Sequence, residues 1–211
     1  MLSFNNFFKA YDSDLILQIP DLTISPGIHW IKGQNGSGKT TLFKVLAGLL
    51  SYKGQITLAP AILLSKETIL HRKYINYGEA EPLYPDFLTG MDLIQLFAKA
   101  KQAPFSQVQD LIETFQAGSF LNKPVNTYSS GMQKKLSLIL AFTGKPKIIL
   151  LDEPLITLDE QTVRIMYKLI LEYHQNHGVS FLISSHQDIS MPELPFTATW
   201  LVHNRLFTQS Q

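Results

Sequence analysis

The chain has 211 residues, 45% hydrophobic and 17% charged, with 18 Lys+Arg against 17 Asp+Glu and no cysteine. That length and apolar content are enough for one full-sized domain with its own core, and they exclude global disorder. A formal charge of +1 gives no general attraction for nucleic acid, so no nucleic-acid partner is expected; the lack of cysteine removes disulfides, thiolate metal sites and Cys nucleophiles.

No apolar run approaches the roughly 18 residues that a membrane span needs. Residues 1–12 lack a basic start followed by an apolar stretch and a cleavage site, so no secretion signal is expected and the chain is expected to be soluble and cytoplasmic. Any work at a membrane then requires a separate membrane-embedded partner.

Leu15, Leu17 and Ile19, then Leu22 and Ile24, alternate in short runs interrupted at Pro20-Asp21 and ended by Pro26-Gly27, which predicts N-terminal strands. Residues 29–32 read as a short strand running into a glycine-rich loop, residues 40–49 as a helix, and residues 54–58 and 73–77 as further strands. The middle changes character. Thr89 is placed to cap a helix through Lys101, Pro104 breaks the chain, Ser106 is placed to cap a second helix, and residues 130–142 predict a third, stopped by Gly144 and Pro146.

Residues 147–151 are a continuous apolar strand ending in Asp152-Glu153. Thr157-Leu158-Asp159-Glu160 has capping-box spacing for a helix that Gly178 closes. Residues 179–183 are a second apolar strand, ending at Ser184-Ser185-His186, and residues 200–207 suggest a final hairpin around His203-Asn204. Two continuous apolar strands joined by a helix read as parallel neighbours in a covered sheet.

Gly33-Gln34-Asn35-Gly36-Ser37-Gly38-Lys39-Thr40 fits G-x-x-x-x-G-K-[ST]. Glycines let the backbone wrap closely round a phosphate with its N–H groups inward, a lysine meets the β/γ-phosphates, and a hydroxyl suits Mg2+. The helix that follows adds its positive dipole end. A nucleotide hydrolase also needs a carboxylate for the cation and a group that handles water. Asp152 and Glu153, at the tip of a buried strand, provide that pair, although a strand ending in Asp-Glu is by itself often only a polar strand end. His186 lies just beyond the second apolar strand, where parallel sheets bind ligands.

Together these residues resemble the ATP-binding subunit of ATP-binding cassette (ABC) transporters over nearly the whole chain. Residues 33–41 are similar to that family's Walker A loop, and residues 148–153 to its Walker B strand with the catalytic glutamate. Tyr128-Ser129-Ser130-Gly131-Met132 stands where the family signature, usually L-S-G-G-Q, stands. Ile156-Thr157-Leu158-Asp159 resembles the D-loop, His186 the switch histidine, and Tyr11 the aromatic that stacks on adenine.

The resemblance implies an α/β fold: a P-loop NTPase core with a mainly parallel sheet, an N-terminal antiparallel β subdomain and an α-helical subdomain inserted at about residues 81–142. It implies Glu153, His186 and Lys39 as catalytic residues. Nucleotide contacts are implied for Tyr11, Gly33, Asn35, Gly36, Ser37, Gly38, Lys39, Thr40, Thr41, Ser129, Gly131 and Asp159. Two subunits, either two copies or a copy and a homologue, would sandwich two ATP and drive transmembrane permease subunits from the inner face of the membrane. The inserted helices would make that contact.

The sequence departs from the family where a Q-loop glutamine is expected. Residues 76–85 contain none. Counting back from Leu83-Tyr84-Pro85 places Glu79 there, with Glu81 the alternative and solvated loop charges a third reading; a carboxylate can still ligate Mg2+. Mg2+ would thus be met by Thr40, Asp152 and Glu79. The Y-S-x-G-M signature is more similar to exporters than to importers. Thr157 replaces the usual D-loop glycine. The competing expectations are a soluble ATPase of the same superfamily acting in assembly or regulation, and a nucleotide-binding scaffold with little turnover.

Overall fold

The structure, a computed structural model, describes residues 1–59, 62–186 and 194–210. A hairpin of β1 (Leu2–Tyr11) and β2 (Asp14–Ile24) leads to β3 (Ile28–Lys32) and α1 (Lys39–Leu46). Then come β4 (Lys53–Leu58), β5 (Ile62–Leu63), α2 (Thr68–Tyr74) and β6 (Ile75–Gly78). Three helices follow in succession: α3 (Gly90–Lys101), α4 (Phe105–Thr114) and α5 (Ser130–Phe142). The chain then forms β7 (Ile148–Leu151), α6 (Glu160–His177), β8 (Ser180–Ser185), β9 (Ala198–His203) and β10 (Leu206–Gln209).

The described strands form one sheet in the order β5-β4-β1-β2-β10-β9-β3-β8-β7-β6. The block β9-β3-β8-β7-β6 is parallel throughout. The block β5-β4-β1-β2 is antiparallel. β10 joins them, antiparallel to β9 and touching β2 through the single pair Leu206–Gln18. The expected α/β architecture with a mainly parallel core is the one observed.

Side chains alternate across a strand, and both faces of the parallel block are covered. Ile148, Leu150 and Leu182 join one core with Leu42, Phe43 and Leu46 of α1. Ile149, Leu151, Phe181 and Ile183 join the other with Leu136 and Ile139 of α5 and Met166 and Ile170 of α6. Burial of each such side chain contributes about 1.5–3 kcal/mol, so β7 and β8 are held firmly from both sides. Because β3, β6, β7 and β8 are parallel, the loops after them emerge at one edge of the sheet. Residues 33–38, 79–81, 152–153 and 186 are gathered there.

Several local expectations are corrected. β1 escapes the alternation rule because its pattern slips at Asn6, which has φ 47°; Gly54 of β4 lies so close that a Cβ would fall 2.1 Å from the Asn6 carbonyl oxygen. Pro20 does not interrupt β2. It sits opposite that same Asn6, between the pairs Asn5–Asp21 and Phe7–Ile19, where a missing N–H is tolerated. Lys73 and Tyr74 end α2 rather than begin β6. α4 starts at Phe105, before Ser106, and has no side-chain cap.

The cap of α6 is Asp159, whose carboxylate accepts from the Thr162 N–H at 2.7 Å, and not a box built on Thr157. Thr157 instead takes φ 69°, a strained value for a β-branched residue. Thr89 does cap α3, in a reciprocal box with Asp92.

His29 is fully buried. It accepts from the Trp200 indole N–H at Nδ1 (3.1 Å), and its Nε2–H donates to the Ser25 carbonyl at 2.8 Å. Burial holds its pKa below the usual histidine value, against the Ser25 hydrogen bond, and burial does the same for His71. A neutral ring in the folded state means that the unfolded chain binds the extra proton first. The contribution to stability is therefore complete above the ordinary histidine pKa of about 6.5 and is lost as pH falls from there through the folded value. Urea titrations are expected to show stability falling from pH 7.5 to pH 5. His29→Gln, with one acceptor and one donor that do not titrate, is expected to flatten part of that slope.

Candidate functional site

The loop after β3 turns into α1 at Gly38, whose φ of 107° is closed to other residues without strain. That turn makes Lys39 the first helical residue and leaves the first N–H groups of α1 facing a cavity of about 230 Å3. Asn35, Gly36, Ser37, Gly38, Lys39, Thr40 and Thr41 line it, together with Ile16 of β2 and Glu153. Gly33 is not in the lining; its carbonyl accepts from Lys39 Nζ at 2.7 Å, and the Gln34 carbonyl does so at 3.2 Å. The Ser37 hydroxyl is buried without a hydrogen-bond partner. A Cβ on Gly36 would meet nothing within 4 Å. An open backbone, an unsatisfied hydroxyl, a lysine and a helix N-terminus are the donor set that a polyphosphate requires.

The second half of the site sits on the tip of β7. Asp152 is fully buried. Its Oδ1 accepts from the Ser184 hydroxyl at 2.5 Å and its Oδ2 from the Tyr77 hydroxyl at 3.1 Å. Burial, and then the Asp152 charge, raise the Tyr77 pKa far above the ordinary phenol value, so the phenol stays a donor. Glu153 has φ 44°, and its N–H is held by Ser184 Oγ at 2.9 Å. Its carboxylate lies between two bases: Oε1 is 3.6 Å from Lys39 Nζ, and Oε2 is 3.0 Å from His186 Nδ1. Lys39, Glu153 and His186, picked out on three separate stretches of sequence, are thus in contact.

Glu79 follows β6, next to the tip of β7. Burial raises its pKa above the usual carboxylate value; Lys44 opposes this, Asp152 adds to it and Lys134 also opposes it. Glu81, the alternative, is exposed. Among the described residues no three His, Cys, Asp or Glu side chains could hold a cation by themselves. A hydroxyl from Thr40 with carboxylates from Asp152 and Glu79 fits Mg2+, which takes one or two protein carboxylates and completes its shell with phosphate and water.

The remaining predicted residues lie elsewhere. Ser129 caps α5 and its hydroxyl accepts from the Met132 N–H at 3.3 Å. Gly131 faces the Thr157 carbonyl, 3.2 Å from where a Cβ would stand. Asp159 is 4.0 Å from Lys135 of α5. None of these lines the cavity. Tyr11 ends β1, is 45% exposed, carries the Lys9 ammonium 4.6 Å from its ring centroid, and is outside the lining as well.

Four contributors escaped the sequence reading: Ile16, Tyr77, Ser184 and Lys134. Ser184 was the most accessible of them, since a polar residue ending an apolar strand parallel to β7 has to lie beside Asp152. Lys134 looks like an ordinary helix-surface cation but is 3% exposed, and burial brings its pKa down to about 8.

Comparison with known proteins matches residues 17–156 to the ABC transporter family. The cytochrome c biogenesis ATP-binding export protein CcmA of Legionella pneumophila is 31% identical over 186 residues, 87% of this chain and 91% of that protein. The retinal-specific phospholipid-transporting ATPase ABCA4 of Mus musculus is 28% identical over 194 residues; they cover 88% of this chain, which spans only 8% of that much longer relative. A solved structure described as a dimeric post-hydrolysis state of the ATP-binding cassette MJ0796 bound to ADP and Pi superimposes with a TM-score of 0.86 at 18% identity, covering 100% of this chain and 98% of that one.

The support beneath Asp152 can be tested without nucleotide. Removing one donor from a buried carboxylate costs about 1.5–3 kcal/mol. Tyr77→Phe and Ser184→Ala are each expected to lower the unfolding free energy by about that amount in urea titrations at pH 7.5, with Ser184→Ala the larger because it also releases the Glu153 N–H.

Proposed function

The chain belongs to the ABC transporter family as an ATP-binding subunit, an ATPase, and from that premise we propose that two copies close head to tail around two ATP and drive a separate membrane permease, most simply for export. The single observation that carries this reading is the division of the site. Lys39 and Glu153 face one cavity, whereas Ser129, Gly131 and Asp159 stand outside it. A second subunit placing its Ser129-Ser130-Gly131 turn over the cavity would add a hydroxyl, N–H donors and a helix dipole end to the γ-phosphate.

Before nucleotide binds, Glu153 partly neutralises Lys39. An entering triphosphate takes over Lys39, and the freed Glu153 carboxylate is repelled by the phosphate charge toward the attacking water. Glu153 accepts the water proton as oxygen bonds to the γ-phosphorus and the bond to the β–γ bridging oxygen breaks, giving ADP and phosphate. His186, hydrogen-bonded to Glu153, fixes the carboxylate. Thr40, Asp152 and Glu79 would hold Mg2+, whose role when bound is to neutralise charge on the β- and γ-oxygens. Tyr11 would stack on the base beyond Ile16.

No described helix is long and apolar enough to cross a membrane. Partner contact is supported by the exposed apolar residues around the helical insertion: Leu83 is 93% and Phe87 81% exposed, with Leu96 and Phe105 more than half exposed. Peripheral attachment to the inner membrane face follows from such a partner. Export is favoured by the name of the Legionella relative and by the signature form.

Glu153→Gln is expected to keep ATP binding, to lower turnover at least 100-fold, the scale of a general-base contribution, and to elute as an ATP-dependent dimer in size-exclusion chromatography. Wild-type turnover no faster than the variant's would identify a scaffold. Glu79→Ala is expected to raise the Mg2+ concentration for half-maximal turnover; unchanged Mg2+ dependence would remove Glu79 from the cation site. Affinity capture from native membranes with Mg-ATP is expected to recover a polytopic membrane protein, and a soluble partner alone would favour assembly or regulation.

A further inference from the structure

Lys134 lies on α5, one turn beyond Ser130 and Gly131, and points away from solvent. Its ammonium has three N–H donors, and the structure gives it three partners, all main-chain carbonyls: Glu79 at 2.9 Å, Ala80 at 3.2 Å and Asp152 at 3.0 Å. The residue is 3% exposed. A buried ammonium is tolerated only where its donors are satisfied, so these three bonds hold one another in place. Two of the carbonyls belong to the segment after β6 and the third to the tip of β7. The Asp152 N–H in turn donates to the Gly78 carbonyl at 2.9 Å, tying those two strand ends together. The start of α5, the Glu79 segment and the tip that carries Glu153 therefore meet at one side chain.

We infer that Lys134 is a positioning residue that latches the Ser129–Gly131 turn of α5 to the Glu79 segment and the Asp152 tip, so that a displacement of the Glu79 segment by nucleotide is carried to the turn offered to the second subunit. The inference rests on the two-copy reading above for its consequence, although the latch itself lies within one chain. It gives the two nucleotide sites a physical connection. The position of the Glu79 segment, bonded through Lys134 to the Asp152 tip of one site, sets the position of the Ser129 hydroxyl and Gly131 N–H that complete the other. Loss of the latch therefore affects closure and turnover, not the first capture of nucleotide by the loop before α1.

The test uses Lys134→Met, of similar length but with no donors, and Lys134→Arg, which keeps a cation with several. In the intact protein, Lys134→Met is expected to bind a fluorescent ATP analogue within about twofold of wild type. It is also expected to lower kcat at least tenfold and, combined with Glu153→Gln, to abolish most ATP-driven dimerisation. Lys134→Arg is expected to restore most of both. Wild-type kcat and dimerisation in Lys134→Met overturn the latch, as does a loss of nucleotide affinity in parallel with kcat, which marks a merely structural role.

Hydrogen exchange on the wild-type chain decides the matter should Lys134→Met fail to fold. Mg-ATP is expected to change protection at residues 79–81 and 130–134 together, and a change confined to 79–81 overturns the latch. Should Glu153→Gln alone fail to dimerise on ATP, the two-copy reading fails, while the exchange result still judges the latch.

Discussion

Asp152 places a carboxylate where solvent does not reach, and much of the site is arranged around that fact. A buried charge is costly unless hydrogen bonds replace the lost water. Here the Tyr77 and Ser184 hydroxyls supply them from the strands on either side. The Asp152 carbonyl accepts from Lys134, and its N–H is taken up by Gly78. Three elements, β6, β8 and α5, are thereby hydrogen-bonded to the residue at the tip of β7. The next residue inherits that rigidity: Glu153 is held through its N–H by the same Ser184, in a backbone conformation that few residues adopt without support.

The geometry of the cavity follows from this fixed tip. Lys39 is oriented from below by the Gly33 and Gln34 carbonyls and from across by Glu153. His186 closes the group from the end of the neighbouring strand. Lys39 and Glu153 neutralise each other at short range, which allows them to be gathered in a partly desolvated cleft. In the function proposed, a triphosphate would bring negative charge into this balance and displace Glu153 from the lysine, which would link binding to the readiness of the carboxylate for water.

Much of the fold was legible because its signals are local. The loop at residues 33–40, the apolar strands before Asp152 and His186, the cap at Thr89, the start of α5 and the close of α6 at Gly178 all depend on near neighbours in the chain. The failures are as informative. β1 and the passage of β2 through Pro20 were obscured by one irregularity at Asn6, which is settled by pairing with strands on both sides. Thr157 has the spacing of a cap to Glu160, but Asp159 is nearer the helix and accepts the Thr162 amide.

The residue chemistry of the site, a phosphate loop with a lysine, two adjacent carboxylates and a histidine, was determined by the sequence alone, since each group sits at a strand end or helix start that short-range pattern defines. That Ser129, Gly131 and Asp159 stand outside the cavity that Lys39 and Glu153 share, and that Glu79 is partly buried near Asp152 while Glu81 is exposed, were decided only by tertiary structure. So were the supports: Tyr77, Ser184 and Lys134 are ordinary residues in their own segments. They acquire their roles because parallel strands far apart in sequence end side by side, and because α5 packs back on them. Register and packing between distant segments set those distances, and no local pattern carries that information.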